Sequence, residues 1–185
     1  AMEKIMDMYE QWYDKYHPIH PLHPQTKQPL NIYPFEIYVY SKKFGYAGSL
    51  DIMANILFKN ISHNCLIDIK TNTTSKLAYK LQCTAYKIAF EENYPHIPID
   101  EIRILHLPKN AVTWNYTFRK WRKPIEYYKP MWLRNLGHFY LQYGDEYPLS
   151  LIKEQVLSNI EKEGIDITDQ VLTQEELDQE VMENE

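Results

Sequence analysis

The sequence predicts an α/β domain with a mixed β-sheet flanked by helices. Two observations support this fold class. Three runs of strand-like composition precede a helical segment, and a fourth alternating run follows it. Such a strand, strand, strand, helix, strand order gives a mixed sheet with the helix packed on it. With 185 residues and 44% hydrophobic content, the chain is long enough for one domain with a substantial core.

The chain begins with an amphipathic helix predicted over residues 2–16. Its apolar residues recur at spacings of three and four: Ile5, Met8, Tyr9, Trp12 and Tyr16. Residues 17–34 form a linker rich in Pro and His. His17, His20 and His23 recur every three residues, and a polyproline II helix has three residues per turn, so their rings would lie in one row. Such a row could bind a metal ion. A stiff linker is favoured, because ligand His residues normally need orienting partners from elsewhere.

The predicted core occupies residues 35–107. Alternation in FEIYVYS, residues 35–41, predicts the first strand, and an antiparallel hairpin turning near Lys59 and Asn60 supplies the next two. A helix is predicted over residues 75–91, with Ser75 as its N-cap. Its apolar residues form a stripe that we expect to be buried: Leu77, Leu81, Ala85 and Ile88. The last core strand is predicted at residues 100–107.

Charged residues follow the apolar part of the third strand, NCLIDIK. Alternation projects Asp68 and Lys70 from one face about 7 Å apart, while Ile69 packs on the other face and leaves its carbonyl free at the sheet end. The hairpin brings Asp51 beside Asp68. Two carboxylates, a backbone carbonyl and water are oxygen ligands that Mg²⁺ accepts. A lysine beside such a metal can orient the attacking water or help to deprotonate it.

These residues belong to a longer ordered pattern that resembles the PD-(D/E)xK nuclease superfamily, in its RecB-like and phage-exonuclease branch. The branch reads GxxD, then (D/E)xK, then QxxxY, and the matching residues here are Gly48, Asp51, Asp68, Lys70, Gln82 and Tyr86. The match covers residues 36–90, about a third of the chain. Leu50 precedes the first aspartate, so the eponymous proline is absent, as is usual in this branch. The resemblance implies a restriction-endonuclease-like core within a nuclease-like domain at residues 1–147.

The resemblance also implies a role for each matched residue. Asp51, Asp68 and the Ile69 backbone carbonyl would bind Mg²⁺ or Mn²⁺, and Lys70 would assist the nucleophilic water. By the same resemblance, Gln82 and Tyr86 would support the site and approach DNA. Relatives often add an upstream acidic ligand, for which Glu10 and Glu36 are the candidates; a solvated surface carboxylate is the alternative at both positions.

The implied activity is hydrolysis of phosphodiester bonds in DNA, with an exonuclease of recombination, replication or repair as the favoured biology. One alternative is a catalytically silent module that keeps the fold and binds nucleic acid or protein. Another is a phage accessory or inhibitor protein that acts through its acidic end. The chain contains no Walker A motif, so we expect it to act alone, to oligomerise or to join a larger machine.

Two cysteines, Cys65 and Cys83, are present and neither lies in a CxxC motif. An iron–sulfur cluster needs more thiolate ligands than these two residues supply. We therefore expect no such cluster and interpret both cysteines as small buried hydrophobes.

A basic and aromatic segment follows the core at residues 112–143, with a helix predicted around residues 127–143. Basic groups contact phosphates and aromatic faces stack on unpaired bases, so this segment is the best DNA-binding candidate outside the site. Its central residues are Arg119, Lys120, Trp121, Arg122 and Lys123. A surface hairpin whose long basic side chains run along the protein is the alternative.

Residues 148–185 are predicted to form an acidic tail, helical or partly disordered, with amphipathic pieces at 149–162 and 173–183. Residues 145–185 contain 13 acidic and 2 basic residues, whereas the part before them has a net positive charge. A basic body suits a polyanion, and the tail could bind a protein partner. Neither a membrane-spanning run nor a signal peptide is recognised, so an intracellular, reducing compartment is expected. The resemblance implies the cytoplasm of a bacterial or phage-infected cell.

Overall fold

The computed structural model describes residues 2–72, 76–109 and 114–168. The first elements are helix α1, Met2–Tyr16, and strands β1, Phe35–Ser41, β2, Tyr46–Phe58, and β3, Ile61–Lys70. Helix α2, Lys76–Asn93, leads to strands β4, Glu101–His106, and β5, Thr117–Lys120. Helix α3, Ile125–Tyr143, a 3₁₀ turn at Leu149–Leu151 and helix α4, Lys153–Lys162, follow. The predicted α/β class is therefore confirmed.

The five strands of the sheet lie side by side in chain order. Strands β1, β2 and β3 pair antiparallel, β3 and β4 pair parallel on either side of the α2 connection, and β5 pairs antiparallel with β4. Lys59 and Asn60 form the β2–β3 turn with φ angles of 50° and 66°. Two consecutive positive φ angles are typical of the tight hairpin turn whose twist matches its strands. The mixed sheet and the position of this turn agree with the sequence prediction.

Helices cover the two faces of the sheet unequally. On one face, Met8 and Trp12 of α1 pack against a group that includes Ile52, Ile56 and Ile67. On the other face, α2 contributes Cys83, Ala89 and Phe90 to a core with Ile37, Leu50 and Leu66. Both cysteines are buried thiols, as predicted. No helix in residues 2–72, 76–109 or 114–168 combines the length and apolar character needed to cross a bilayer.

The segment after residue 147 is part of the packed body as far as the structure describes it. Val156 and Ile160 of α4, together with Ile167, pack against α3 residues that include Leu133 and Tyr140. Ion pairs join Glu163 to Lys43 and Lys129. The boundary predicted at residue 147 therefore does not coincide with the end of the packed structure. The second predicted amphipathic piece, 173–183, lies outside the described residues.

The C-terminal end of α2 closes the outer edge of β1 at its last two residues. Asn93 Oδ1 accepts a hydrogen bond from Tyr40 N at 2.9 Å, and Asn93 Nδ2 donates one to Tyr40 O at 2.9 Å. Glu92 accepts hydrogen bonds from Lys42 N, at 2.7 Å, and from Ser41 Oγ, at 2.6 Å. Side chains thus satisfy backbone groups that an edge strand otherwise exposes.

The linker between α1 and β1 uses its histidine rings locally. His20 Nδ1 lies 2.8 Å from Ile32 O, and His23 Nδ1 accepts hydrogen bonds from Gln25 N and Thr26 N at 3.2 Å. These contacts favour the linker interpretation over a metal site. The predicted N-cap Ser75 lies outside the described residues.

Candidate active site

The candidate site lies where β2 and β3 stop pairing. The last pair of the ladder is Ile52 with Ile67, and the next position in this register places Asp51 opposite Asp68. Beyond that pair a side chain, not the backbone of β2, makes the contact with β3. Asp51 Oδ2 accepts a hydrogen bond from the backbone N of Ile69 at 2.7 Å. The hairpin therefore brings Asp51 to the end of β3, as the sequence predicted.

Lys70 joins the strand carboxylate to helix α2. Its Nζ lies 2.8 Å from Asp68 Oδ2 and donates a hydrogen bond to Gln82 Oε1 at 2.8 Å. The ring centroid of Tyr79 lies 4.7 Å from the same ammonium. Alternate residues of a strand are spaced about 7 Å apart, so the long lysine side chain must fold back to reach the carboxylate. The sequence placed both groups on one face, and the structure adds their direct contact.

Gln82 and Tyr86 extend this chain of contacts to β2. Gln82 Nε2 donates a hydrogen bond to Tyr86 OH at 2.8 Å. The Tyr86 ring lies so close to Gly48 that a Cβ at Gly48 would come within 2.7 Å of Tyr86 Cε1. Glycine is therefore required at this position by close approach. The three parts of the sequence pattern meet in one continuous set of contacts.

Burial controls the protonation of the site. Burial raises the pKa of Asp68 from its ordinary 3.8 to about 6, while the Lys70 ammonium opposes the rise and the Asp51 charge adds to it. Burial also acts to lower the pKa of Lys70, but contact with Asp68 outweighs it, and the net shift is upward. Lys70 is therefore a cation at neutral pH and acts as a donor.

The residues present fit a divalent cation. Asp68 Oδ2 is buried, and the cation that it faces in the structure is the Lys70 ammonium at 2.8 Å. A buried carboxylate of this kind is stabilised by positive charge, which the ammonium or a metal ion can supply. Within residues 2–72, 76–109 and 114–168, no group of three or more His, Cys, Asp or Glu side chains could hold a metal. Two carboxylates with water still suit Mg²⁺, which keeps several waters and uses few protein ligands.

A cavity of about 410 Å³ opens beside Asp51 on the α1 side of the sheet. Its lining combines polar and aromatic residues: Tyr9, Tyr33, Phe35, Glu36, Asp51, Ile52 and Ile69. Asp68 does not line this cavity and is only 2% exposed. The cavity therefore gives solvent access to Asp51 and Ile69 but not to Asp68.

The two candidate upstream ligands occupy different places. Glu36 lines the cavity together with Asp51, at a strand position with a φ of 50°. Glu10 is exposed on α1, next to the cavity residue Tyr9. Sequence reasoning missed the aromatic lining of Tyr9, Tyr33 and Phe35. The one sequence feature that could have indicated it is the cluster of aromatic residues just before the first strand.

The basic and aromatic segment is only partly displayed at the surface. Arg119, Lys120 and Arg122 are exposed, and Lys120 Nζ also pairs with Glu101 Oε1 at 2.6 Å. The Trp121 ring packs 5.2 Å from the Tyr128 ring with its indole nitrogen buried, and Lys123 Nζ lies 5.2 Å from the Tyr127 ring centroid. Trp121 therefore serves packing, and Arg119, Lys120 and Arg122 remain at the surface.

The fold and the site together define an α/β protein with two carboxylates and a lysine gathered where the β2–β3 ladder of a mixed sheet ends. No family model matches this chain, and no curated protein matches it in sequence.

Proposed function

We propose that this protein is a metal-dependent DNA nuclease of the PD-(D/E)xK type, with a restriction-endonuclease-like core. One observation carries the proposal. Contacts run without a break from Asp68 through Lys70 and Gln82 to Tyr86, which lies on Gly48. A chance sequence match would not require the matched side chains to touch one another. Their mutual contact supports a shared role.

Asp51, Asp68 and the Ile69 carbonyl would hold Mg²⁺ or Mn²⁺. When bound, such an ion neutralises charge at the scissile phosphate and makes water a better nucleophile. The Lys70 ammonium lies on Asp68 Oδ2 in the structure, so an ion bound to that oxygen would displace it. Gln82 would hold the displaced ammonium at the site, because its Oε1 accepts a separate hydrogen bond.

The protonated Lys70 can then donate a hydrogen bond to the attacking water or to a phosphate oxygen. Tyr86 fixes the Gln82 amide, because its hydroxyl accepts from Nε2 and so leaves Oε1 facing Lys70. In this assignment Lys70 orients the reacting groups, and Gln82 and Tyr86 position Lys70. The resemblance favours an exonuclease acting in the cytoplasm during recombination, replication or repair.

Cleavage of linear, circular and single-stranded DNA in Mg²⁺, Mn²⁺ or EDTA tests the proposal. We expect cleavage in either metal, none in EDTA, and a loss of at least a hundredfold in Asp51→Asn and Asp68→Asn. Asp14→Asn, on the exposed part of α1, is the matched control and should cleave normally. Equal cleavage by Asp68→Asn and the unaltered protein would exclude the assignment.

The deep burial of Asp68 favours one second candidate, a module with this fold that binds nucleic acid without cleaving it. The 2% exposure of Asp68 and its pairing with Lys70 describe a closed site. Isothermal titration with Mn²⁺ separates the two functions. If the protein is a nuclease, the unaltered chain should bind Mn²⁺ and Asp51→Ala should not. If it is a silent module, neither the unaltered chain nor Asp51→Ala should give a heat of binding.

A further inference from the structure

One face of the β1–β2 ribbon has no helix packed on it among residues 2–72, 76–109 and 114–168. Ile37 and Val39 point into the core under α2, so the alternating residues Tyr38 and Tyr40 point to the opposite side. Their exposed fractions are 81% and 49%. Helix α1 packs on this side only from Ile52 onward along β2. The rings of Tyr38 and Tyr40 are therefore exposed to solvent on this face of the sheet.

The strand register connects these rings to the candidate site. Tyr40 pairs with Ala47 and Tyr38 pairs with Ser49. The ladder skips the next position, where Glu36 has a φ of 50°, and resumes with Phe35 opposite Ile52. The residues around this break line the aromatic cavity, so the two rings, about 7 Å apart along the strand, lead toward it. Lys42 stands at the other end, with its Nζ 5.8 Å from the Tyr40 ring centroid.

The closed edge of β1 restricts what this ribbon can bind. Asn93 already occupies the N–H and the carbonyl of Tyr40, so an added peptide strand would find those groups paired. The ring faces of Tyr38 and Tyr40 remain available for binding. Base-to-aromatic stacking is the interaction that such faces offer to a polymer, and it tolerates any sequence because every base has a π-face.

We propose that the exposed face of the β1–β2 ribbon binds an unpaired polynucleotide strand. Successive bases stack on Tyr40 and Tyr38, Lys42 contacts the backbone at the far end, and the base nearest the cleaved phosphate enters the aromatic cavity beside Asp51. This inference rests on the proposed nuclease function and specifies its substrate. A base can stack on a protein ring only after leaving the duplex stack, so single strands or frayed ends are the substrate.

Binding in EDTA tests this surface without cleavage. Fluorescence anisotropy would compare a labelled oligothymidylate with a blunt hairpin duplex. We expect Tyr38→Ala and Tyr40→Ala each to weaken single-strand binding about tenfold, within the range for loss of one stacked base. Tyr38→Phe and Tyr40→Phe keep the rings and should bind normally. Tyr147→Ala, which removes a ring 83% exposed outside the ribbon, is the matched control.

The result that overturns the inference differs from the result that overturns the nuclease. If the protein binds no single strand, or if the double alanine variant binds it as well as the unaltered protein, the ribbon is not the binding surface. Metal-dependent cleavage that is lost in Asp68→Asn would still establish the nuclease in that case. Tyrosine-dependent binding without any cleavage would support the ribbon and reject the nuclease.

Discussion

Tyr86 of α2 lies directly on Gly48 of β2, with 2.7 Å between Tyr86 Cε1 and the position that a Cβ on Gly48 would take. The contact ties the helix that carries Gln82 to the strand that carries Asp51. Because Gln82 in turn binds Lys70, the spacing between helix and sheet sets where the ammonium sits. Packing and site geometry are coupled through this one contact.

Gly48→Ala should therefore damage both stability and cleavage. The new methyl group pushes on the Tyr86 ring, and overpacking of this kind costs about 1–3 kcal/mol in free energy of unfolding. Urea unfolding and cleavage assays would measure the two effects. Adding Tyr86→Ala removes the obstructing ring, so the double variant should recover stability relative to Gly48→Ala. If Tyr86→Ala makes the Gly48→Ala protein still less stable, the proposed clash is not the cause.

Lys70→Ala should separate metal binding from catalysis. Removing the ammonium frees Asp68 Oδ2, so affinity for Mn²⁺ should stay the same or increase, while cleavage falls by orders of magnitude because the orienting donor is absent. Titration calorimetry and a cleavage assay would measure the two properties. Gln82→Ala, which only loosens the lysine, should cause a smaller loss of cleavage. Unchanged turnover in Lys70→Ala would remove Lys70 from the mechanism.

Asp68→Asn should stabilise the protein at neutral pH in EDTA. The folded-state pKa of Asp68, about 6, lies above its ordinary 3.8, so ionising this carboxyl costs stability as pH rises through that window. The neutral amide avoids this cost, and we expect a gain of about 1–3 kcal/mol at pH 7. The gain should vanish below about pH 4. Thermal unfolding at several pH values would measure it, and a gain that does not depend on pH would contradict the explanation.

Glu101→Gln should do the reverse and leave cleavage intact. Burial acts to raise the pKa of Glu101, but hydrogen bonds from Lys120 and Arg103 outweigh it and hold that pKa below its ordinary 4.5. The ionised carboxylate thus stabilises the fold at neutral pH, and this contribution is lost as pH falls through the lowered pKa. We expect a loss of about 2–3 kcal/mol at pH 7 that shrinks in acid. A variant as stable as the unaltered protein at pH 7 would show that the network contributes little.

The exposed arginines should contribute to DNA affinity through charge. Neutralising Arg119 and Arg122 should lower affinity and flatten its dependence on salt, by about one unit of slope for each phosphate that the protein no longer neutralises. Lys120→Gln should change the slope less than Arg119→Gln, because Glu101 already pairs with that ammonium. Binding isotherms at several salt concentrations would measure the slopes. Equal slopes in all variants would place the DNA surface elsewhere.

Local pattern was sufficient to predict most elements of this fold. The alternation of FEIYVYS predicted β1 at the observed bounds, and the spacing of Met8 and Trp12 predicted α1. The hairpin turn fixed Asp51 opposite Asp68, because antiparallel register follows from where the turn lies. These predictions needed only the chain's own periodicity and its turn.

Contacts between distant elements could not be predicted in the same way. The hydrogen bond from Lys70 to Gln82 depends on how α2 settles on the sheet, which the spacing of Gln82 and Tyr86 leaves open. The amphipathic spacing of residues 149–162 placed Val156 on an apolar helix face but did not indicate what that face packs against. Its packing against α3 was therefore missed. The composition around Trp121 suggested a surface residue, whereas its burial is set by Tyr128 of α3.

The amide of Asn93 completes the backbone of Tyr40 much as a neighbouring strand would. A second molecule therefore cannot continue the sheet past β1 at this point without first evicting that amide. The bound amide thus protects this part of β1 from the edge-to-edge strand pairing that leads to aggregation.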